Sequence, residues 1–468
     1  MSSEHIAASA PSVSGRETAI GDRFWHHEDW LAVIFGLGIV ALAYGLFVGG
    51  SSLAWLAVTP AKWATLDQLA AHFTGNWGRY VAQFLVWLAV VGTALRALGF
   101  AARDTVPAFA FVYAASLVIF TLGQWASAIT YNLEPPLIAL FVGLAIANFG
   151  LLPRRLDAGF RVEFYVKLGI ILLGATLPFT LLVWGGPIAL AQASIVSVAT
   201  FLVIYWVGRA LGLDRRFAAT LGAGGAICGV SAAIAIAGAV GARKQDAPVA
   251  IAIVVLWAIA TLVVLPFAAA ALHLPAGVGG AWIGTSEFAD AAGIAAAQTY
   301  GDIAAHVPGA PAGTADQSVT AYTLIKVVGR DTWIGIWAVV LSLIAVTRWN
   351  DGPTTNRPQL SEIWTRFPKF VLGFVVASGF ITAVTVAFGH DAFAGKVTPA
   401  LIAPIKSLRI WAFTFTFLSI GLTTRFRDLA GVGLRPFAAF TAGVAVNLVI
   451  GFVLSTIVFA SYWTSIGR

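Results

Sequence analysis

Four ionisable side chains within long apolar stretches are the residues of this sequence best suited to chemistry away from water. Glu287 and Asp290 lie one helical turn apart in WIGTSEFADAAG, so both carboxylates would face the same way. Lys326 and Arg330 lie four residues apart in YTLIKVVGRDTWIG, with Asp331 beside them. Because a bound anion and a carboxylate compete for the same cations, protonation of the carboxylates would couple charge balance to anion binding. These residues therefore predict a proton-coupled anion site.

Two structural explanations of these charges stay open. The cations and carboxylates would equally form a salt-bridge network between helices. The carboxylates would also be tolerated in an interfacial segment wetted by a neighbouring loop. Against the second explanation, Thr285 and Ser286 precede the carboxylates and the flanks are apolar over a full span. A charge at membrane depth costs roughly 3 kcal/mol on insertion scales, so it normally has a functional reason. We include Thr285 and Ser286 among the candidate substrate-binding residues.

A glycine-rich stretch at residues 217–242, FAATLGAGGAICGVSAAIAIAGAVGA, predicts a broken helix. It is long enough to span a bilayer but contains too much glycine for a stable continuous helix. Backbone that leaves a helix at membrane depth is tolerated where protein buries it or where it lines a cavity. Transporters build binding sites in this way, and the candidate residues are Gly225, Cys228, Gly229 and Ser231. The alternative is close helix packing, since Gly225 and Gly229 form a small-xxx-small pair.

A second irregular stretch, LSIGLTTRFRD at residues 418–428, interrupts an apolar run near the carboxyl end. Its small and polar residues predict a second helix break, which we place opposite the first break near the membrane midplane. Helix N-termini at the two breaks would hold a partly desolvated anion between them. The candidate binding residues there are Ser419, Gly421, Thr423 and Thr424.

The composition places these motifs in an all-α polytopic membrane protein. Of 468 residues, 59% are apolar and 10% are charged, and apolar runs of about 20 residues alternate with polar loops. The net charge of +7 lies mainly in short loops beside apolar spans, so we expect no nucleic-acid partner. Cys228 is the single cysteine, which excludes an intrachain disulfide and a cysteine-rich metal site. We expect no metal and no cofactor.

The apolar runs divide the chain into four parts. Residues 1–29 are expected to form a disordered cytoplasmic arm, and residues 30–126 a module of three transmembrane helices. Two groups of five spans follow, over residues 135–271 and 280–461. Because five is odd, the second group enters the membrane in the opposite direction, which predicts two inverted five-helix repeats with discontinuous crossing helices. The expected spans are 135–151, 163–184, 188–211, 217–242 and 248–271, then 280–300, 321–346, 370–388, 399–425 and 436–461.

Positive charge orients this arrangement with the amino terminus in the cytoplasm and the carboxyl terminus outside. The loop at 348–369 would be cytoplasmic and the loop at 301–317 external. Thirteen full crossings would leave Arg243 and Lys244 outside, which the charge rule disfavours. Re-entrant segments at 217–242 and 280–300 reduce the crossings to eleven. The sequence leaves both arrangements open.

Three motifs resemble those of the YeiH-like conserved bacterial membrane proteins, a family whose working name is sulfate exporter. They are GAGGAICGVSA (222–232), FPKFVLGF (367–374) and GLTTRFRDLAGVGLRPF (421–437). The resemblance covers about residues 135–460, so the three amino-terminal helices look like an added module. It implies a homodimeric carrier of the bacterial inner membrane with elevator-like motion, distantly similar to cation-proton antiporters and bile-acid symporters. Many relatives carry a His-Glu pair where this chain has Glu287 and Phe288, so a role for that histidine does not transfer.

The leading functional hypothesis is a secondary transporter that exports a small anion such as sulfate, sulfite or an organic sulfonate or carboxylate. Its partners would be that substrate, the lipid bilayer and a second copy of the chain. A cation-proton antiporter suits the two carboxylates, but Lys326 and Arg330 would repel a cation. An anion channel is another alternative. An enzyme is least favoured, because the sequence lacks the H-E-x-x-H, G-x-S-x-G and Walker A motifs.

Overall fold

A computed structural model provides the structure of the chain. It describes residues 27–130, 135–150, 154–177, 179–243, 245–305, 313–349, 368–388, 393–425, 427 and 433–466. Most of the expected arm at 1–29 and of the loop at 348–369 therefore lies outside the described residues, as does part of the loop at 301–317.

The described chain is helical almost throughout, as the apolar runs predict, and the all-α polytopic class is confirmed. Within the described ranges, eight helices are long and apolar enough to cross a membrane. The α-helices are α1 Glu28–Val48, α2 Leu66–Ala97, α3 Ala102–Gly123, α4 Ala126–Thr130, α5 Pro135–Asn148, α6 Val162–Gly174, α7 Phe179–Ala210, α8 Arg215–Ala226, α9 Val230–Val240, α10 Asp246–Ala271, α11 Ala276–Ser286, α12 Asp290–Ala304, α13 Ala315–Thr323, α14 Trp333–Arg348, α15 Lys369–Phe388, α16 Ala403–Thr423, α17 Leu434–Val453 and α18 Ala460–Ser465. Wider π-helical turns at Leu324–Arg330, Phe393–Ile402 and Leu454–Val458 adjoin α13, α16 and α17.

Contacts between helix ends define two faces of the molecule. On one face, which we call the basic face, Arg425 pairs with Asp157 at 3.1 Å, and Arg161 pairs with Glu28. On the opposite face, Gln317 donates to the carbonyl oxygen of Ile466 at 2.9 Å. The long helices and the shorter α5, α6 and α13–α14 segments connect the two faces.

The boundary between the second and third expected spans lies elsewhere than the hydropathy indicates. Helix α6 ends at Gly174, and α7 runs unbroken from Phe179 to Ala210 with Pro187 inside it. The expected spans at 163–184 and 188–211 are therefore a short helix and a long one. A proline is tolerated within a membrane helix where neighbouring groups satisfy the freed carbonyl.

The glycine-rich stretch forms a re-entrant hairpin, which we call hairpin A (residues 215–240). Helices α8 and α9 are its two arms, and Ile227, Cys228 and Gly229 form its tip. Arg216 Nη1, at the start of the hairpin, donates to the carbonyl oxygen of Gly241, at its end, at 3.0 Å. The two ends therefore lie on one face, and a Cβ on Gly212, just before the hairpin, would lie 3.8 Å from Arg435 Nη1 in the first turn of α17. This contact places Arg243 on the basic face, as the charge rule favours.

A second hairpin, hairpin B (residues 276–304), enters from the opposite face. Its arms α11 and α12 are joined by Glu287, Phe288 and Ala289. The Tyr300 ring packs on Gly279, and its hydroxyl donates to the carbonyl oxygen of Leu274, so the two ends of the hairpin meet. Helix α10 crosses between the hairpins. The sequence left two arrangements open, and this geometry matches the one in which residues 217–242 and 280–300 are both re-entrant.

The expected break at residues 419–424 is wrong. Helix α16 is continuous through Ser419 and Gly421 to Thr423, and the backbone becomes extended at Thr424, where the helix ends on the basic face. Gly421 lies against the backbone of α5, since a Cβ placed there would contact the carbonyl oxygen of Leu140. Small residues here serve close helix packing. The break that faces hairpin A is the tip of hairpin B.

The amino-terminal helices pack directly on the remainder of the chain. Lys167 of α6 pairs with Asp29 of α1 at 2.8 Å, and Gly36 of α1 lies against Ile171. The buried Trp411 of α16 stacks on Tyr113 of α3 at 4.9 Å between ring centroids. Aromatic stacking and a buried ion pair thus join these helices to the same core.

Candidate functional site

The tips of the two hairpins meet inside the protein. A Cβ placed on Gly229 would lie 2.5 Å from the carbonyl oxygen of Phe288, so the two backbones touch at this point. Gly229 has φ of +77°, a conformation that L side chains rarely adopt. The sequence forms the tip here because glycine meets both requirements at once.

Lys326 connects the tips from the π-helical segment that follows α13. Its Nζ donates to the carbonyl oxygen of Ile227 in hairpin A at 2.7 Å. It also donates to the carbonyl oxygens of Glu287 and Phe288 in hairpin B, at 3.1 and 3.3 Å. The side chain is fully buried, so these bonds form without competition from solvent.

Arg330 makes a parallel set of contacts one helical turn farther along. Its guanidinium donates to the carbonyl oxygens of Gly225 at 2.9 Å and Ala226 at 3.2 Å in hairpin A. It also donates to those of Thr285 at 2.7 Å and Glu287 at 2.9 Å in hairpin B. The expected pairing of Arg330 with a carboxylate is replaced by backbone contacts.

Both cations lie where physical chemistry favours positive charge. Helices α8 and α11 end at the tips, and the last carbonyls of a helix have no partner within it and carry partial negative charge. Lys326 and Arg330 satisfy these carbonyls from both hairpins at once. The two residues therefore fasten the hairpin tips together.

Glu287 lies in the connection between α11 and α12, where its carboxylate binds main-chain amides just before α12. Its Oε1 accepts hydrogen bonds from the backbone amides of Phe288 at 2.9 Å and Ala289 at 3.2 Å. Its Oε2 accepts from the hydroxyl of Thr261 on α10. A carboxylate at a helix N-terminus is favoured by the helix dipole. Glu287 contacts Lys326 and Arg330 through its main-chain carbonyl.

Asp290 and Asp331 are the other two carboxylates of the site. Asp290 Oδ1 lies 3.7 Å from Lys326 Nζ, so this expected ion pair is present, at a distance longer than a hydrogen bond. Asp331 is 1% exposed and interacts electrostatically with Asp290, Lys326 and Arg330. The structure thus brings two cations and three carboxylates to the hairpin tips.

The remaining predicted site residues fall into three places. Cys228 is at the tip of hairpin A, and Ser231 is in the first turn of α9 beside it. Thr285 and Ser286 end α11, where their side chains lie against Gly451 of α17. Ser419, Gly421, Thr423 and Thr424 lie together at the end of α16 against α5, where Asn148 Nδ2 donates to the carbonyl oxygen of Thr424 at 3.0 Å. These four are absent from the contacts that join the hairpin tips.

Thr261 contacts the Glu287 carboxylate, although the sequence does not predict it as a site residue. It is a lone hydroxyl in the apolar run of α10, and its oxygen also lies 2.7 Å from the carbonyl oxygen of Trp257, so its single hydrogen is shared between that oxygen and Glu287. Threonines often make this internal bond in membrane helices, so the sequence alone does not distinguish Thr261 from others. Its contact with Glu287 depends on how α10 packs against hairpin B.

Eight helices of the described chain that are long and apolar enough to cross a membrane, with two helical hairpins that meet around buried charges, define a polytopic all-α membrane protein. The chain belongs to the family described as Conserved hypothetical protein 698, whose profile matches residues 107–440.

Relatives of this chain are bacterial proteins named as membrane proteins. A UPF0324 membrane protein of Rhodopirellula baltica is 31% identical over 409 residues, covering 86% of this chain and 71% of the relative. A UPF0324 membrane protein of Nitrosomonas europaea is 28% identical over 441 residues, covering 87% and 90%. One from Nitratidesulfovibrio vulgaris is longer, and this chain covers 59% of its length at 27% identity over 75% of the chain. No solved structure matches the chain.

Proposed function

We propose that this protein is a secondary active transporter whose substrate binds at the hairpin tips. The observation that carries the proposal is the meeting of hairpins A and B, from opposite faces, around buried Lys326, Arg330 and Asp331, with the partly buried Asp290 beside them. Interrupted helices at membrane depth place backbone dipoles where a substrate can use them. Because the charged groups are buried in this conformation, substrate access requires a second conformation, as alternating access provides.

The substrate that we propose is a small anion, such as sulfate, sulfite or an organic sulfonate or carboxylate. The two helix N-termini at the tips differ. The first turn of α12 already contains Asp290, and the Glu287 carboxylate lies just before it. The first turn of α9 has no acidic side chain and no side-chain cap, and it includes the partly exposed Ser231. Free amides, a hydroxyl and a positive helix end favour an anion at α9.

An elevator-like movement fits the way the tips are fastened. Lys326 and Arg330 each bond carbonyls of both hairpins, so separating the tips would leave buried donors and acceptors without partners. Movement of the hairpins as one body avoids that cost. We also propose that the basic face is cytoplasmic in the bacterial inner membrane, following the positive-inside rule.

Cation-proton antiport is the second candidate function. Three carboxylates at one site, Glu287, Asp290 and Asp331, favour it. The positions of Lys326 and Arg330 argue less strongly against it than the sequence indicates, because both side chains are engaged with backbone carbonyls.

Transport into proteoliposomes loaded with a panel of anions and cations tests the proposal. We expect saturable exchange of one or more anions and reduced exchange in Ser231→Ala. Thr398→Ala is the matched control, since this side chain is exposed and far from the tips along the chain. Exchange restricted to sodium or potassium with protons would favour the second candidate. Flux that does not saturate would indicate a channel, and its observation would overturn the transporter proposal.

A further inference from the structure

Asp331 is a buried carboxylate whose hydrogen-bonding capacity is unused. Its residue is 1% exposed, and neither Oδ1 nor Oδ2 has a hydrogen-bond donor among the described residues. An ionised carboxylate buried without donors carries a large free-energy cost, whereas a protonated one carries much less. The residue directly follows the segment that joins the hairpin tips, so it belongs to the same charged cluster.

The two nearby cations donate their hydrogen bonds to backbone carbonyls of the hairpins rather than to Asp331. The Arg330 guanidinium uses its donors on carbonyls of Gly225, Ala226, Thr285 and Glu287. Lys326 Nζ donates to three carbonyls and has Asp290 Oδ1 at 3.7 Å as its carboxylate neighbour. Neither cation forms an ion pair with Asp331 in the described structure.

Charge balance points to one protonated carboxyl group. Lys326 and Arg330 contribute two positive charges, and Glu287 and Asp290 contribute two negative charges when ionised. Glu287 is suited to stay ionised, because two amides and the Thr261 hydroxyl donate to it. The cluster is therefore neutral when Asp331 carries a proton.

We propose that Asp331 is the proton-binding residue that couples proton movement to the transport proposed above, on which its coupling role rests. The carboxylate takes a proton from water when the site opens to one face. Its O–H bond breaks, and the proton returns to water, when the site opens to the other face. An anion that enters the cluster adds negative charge, so a retained proton on Asp331 favours binding.

The groups that face Asp331 set its response to pH. They are Asp290 of hairpin B and Lys326 and Arg330 of its own segment, with Glu163 of α6 contributing at longer range. Cys228 of hairpin A and Tyr322 of α13 also interact with it electrostatically. Of the neighbouring carboxylates, Asp290 has Lys326 as a partner, which leaves Asp331 as the group without one.

Infrared difference spectroscopy of the purified protein at neutral pH tests this assignment without requiring a substrate. The carbonyl stretch of a protonated carboxyl group should be present in the wild type and lost in Asp331→Asn. Asp104→Asn, at a partly exposed aspartate in the first turn of α3, should keep the band. Labelling aspartate with ¹³C in the wild type should shift the same band, which assigns it to an aspartate rather than a glutamate, and Asp290→Asn should keep it.

Stability supplies a second readout. Asn has the shape of a protonated Asp, so Asp331→Asn should unfold at the wild-type temperature or above it at pH 8.

Absence of a protonated aspartate band in the wild type, or a band unchanged in Asp331→Asn, would overturn the proposal. If the band behaves as expected while proteoliposomes exchange no solute, the proton site is supported and the proposed transport function fails. If solute exchange is measured but the band is absent, the transport function is supported and the assignment of the proton site to Asp331 fails.

Discussion

Gly229 and the carbonyl oxygen of Phe288 are in contact across the two hairpin tips, with 2.5 Å between that oxygen and the position of a Cβ on Gly229. A side chain at residue 229 would therefore push the hairpins apart. Because both tips are also bonded to Lys326, displacement at this one contact would disturb the whole cluster.

Gly229→Leu should abolish exchange and lower stability, since it forces a branched side chain into a closed space at positive φ. The left-handed conformation costs about 1–2 kcal/mol for a non-glycine residue, and overpacking adds about 1–3 kcal/mol. Gly238→Ala is the matched control, because its Cβ would enter open space in the last turn of α9. Thermal unfolding in detergent and exchange assays measure both. Normal exchange by folded Gly229→Leu protein would refute a site at the tips.

Hairpin A should place both of its ends on one side of the membrane. On a Cys228→Ser background, Arg215→Cys and Arg243→Cys should react with an impermeant thiol reagent from the same side. His273→Cys, beyond the crossing helix α10, should react from the other side. All three side chains are exposed. Labelling of residues 215 and 243 from opposite sides would mean that the segment crosses fully.

Removing either cation should reduce stability before it reveals an effect on substrate. Lys326→Gln and Arg330→Gln leave buried carbonyls of both hairpins without full donors, at about 1–3 kcal/mol for each unsatisfied group. Lys396→Gln, on an exposed side chain, should change the unfolding temperature little. Folded Lys326→Gln protein should also bind anions more weakly. Wild-type stability in both cation variants would contradict the fastening role of these residues.

Glu287 and Thr261 should be energetically coupled. In a double-mutant cycle of Glu287→Gln and Thr261→Val, we expect a coupling free energy of about 1.5–3 kcal/mol, the range for a hydrogen bond to a charged group. Thr385 makes the same kind of internal bond, to the carbonyl oxygen of Ile381, in another helix. A cycle that pairs Glu287→Gln with Thr385→Val should therefore be additive. Additivity in the first cycle as well would show that the Thr261 contact contributes nothing.

Much of the architecture can be predicted from the sequence because its causes are local. An apolar run of about 20 residues needs no distant partner to identify it as a span. The glycine pattern around Gly229 identifies the tip of hairpin A in the same way, since a poor helix former weakens the helix wherever it is placed. The clustering of Lys326 with Asp290 also follows from the scarcity of charges in apolar spans.

Tertiary structure decides which other segment each of these spans, glycines and charged residues contacts. Gly421 is as small as Gly229, yet it packs against α5 in a continuous helix, whereas the chain leaves the helix at Glu287, between α11 and α12. Both glycines fit either role, so local preference does not separate them. The inverted repeat remains a prediction for the same reason, because symmetry relates whole groups of helices.

The sequence by itself determined the class of protein, the approximate spans, hairpin A as a break and the charged residues that must be protected from lipid. Hydrophobicity, backbone preference and the cost of buried charge act on each residue through its own segment. Only the tertiary structure decided that hairpin B faces hairpin A, that Lys326 and Arg330 bond backbone carbonyls and that Asp331 has no hydrogen-bond donor among the residues that the structure describes. Hydrogen bonds act over about 3 Å between residues that are distant in the chain, so their partners exist only after the helices have packed.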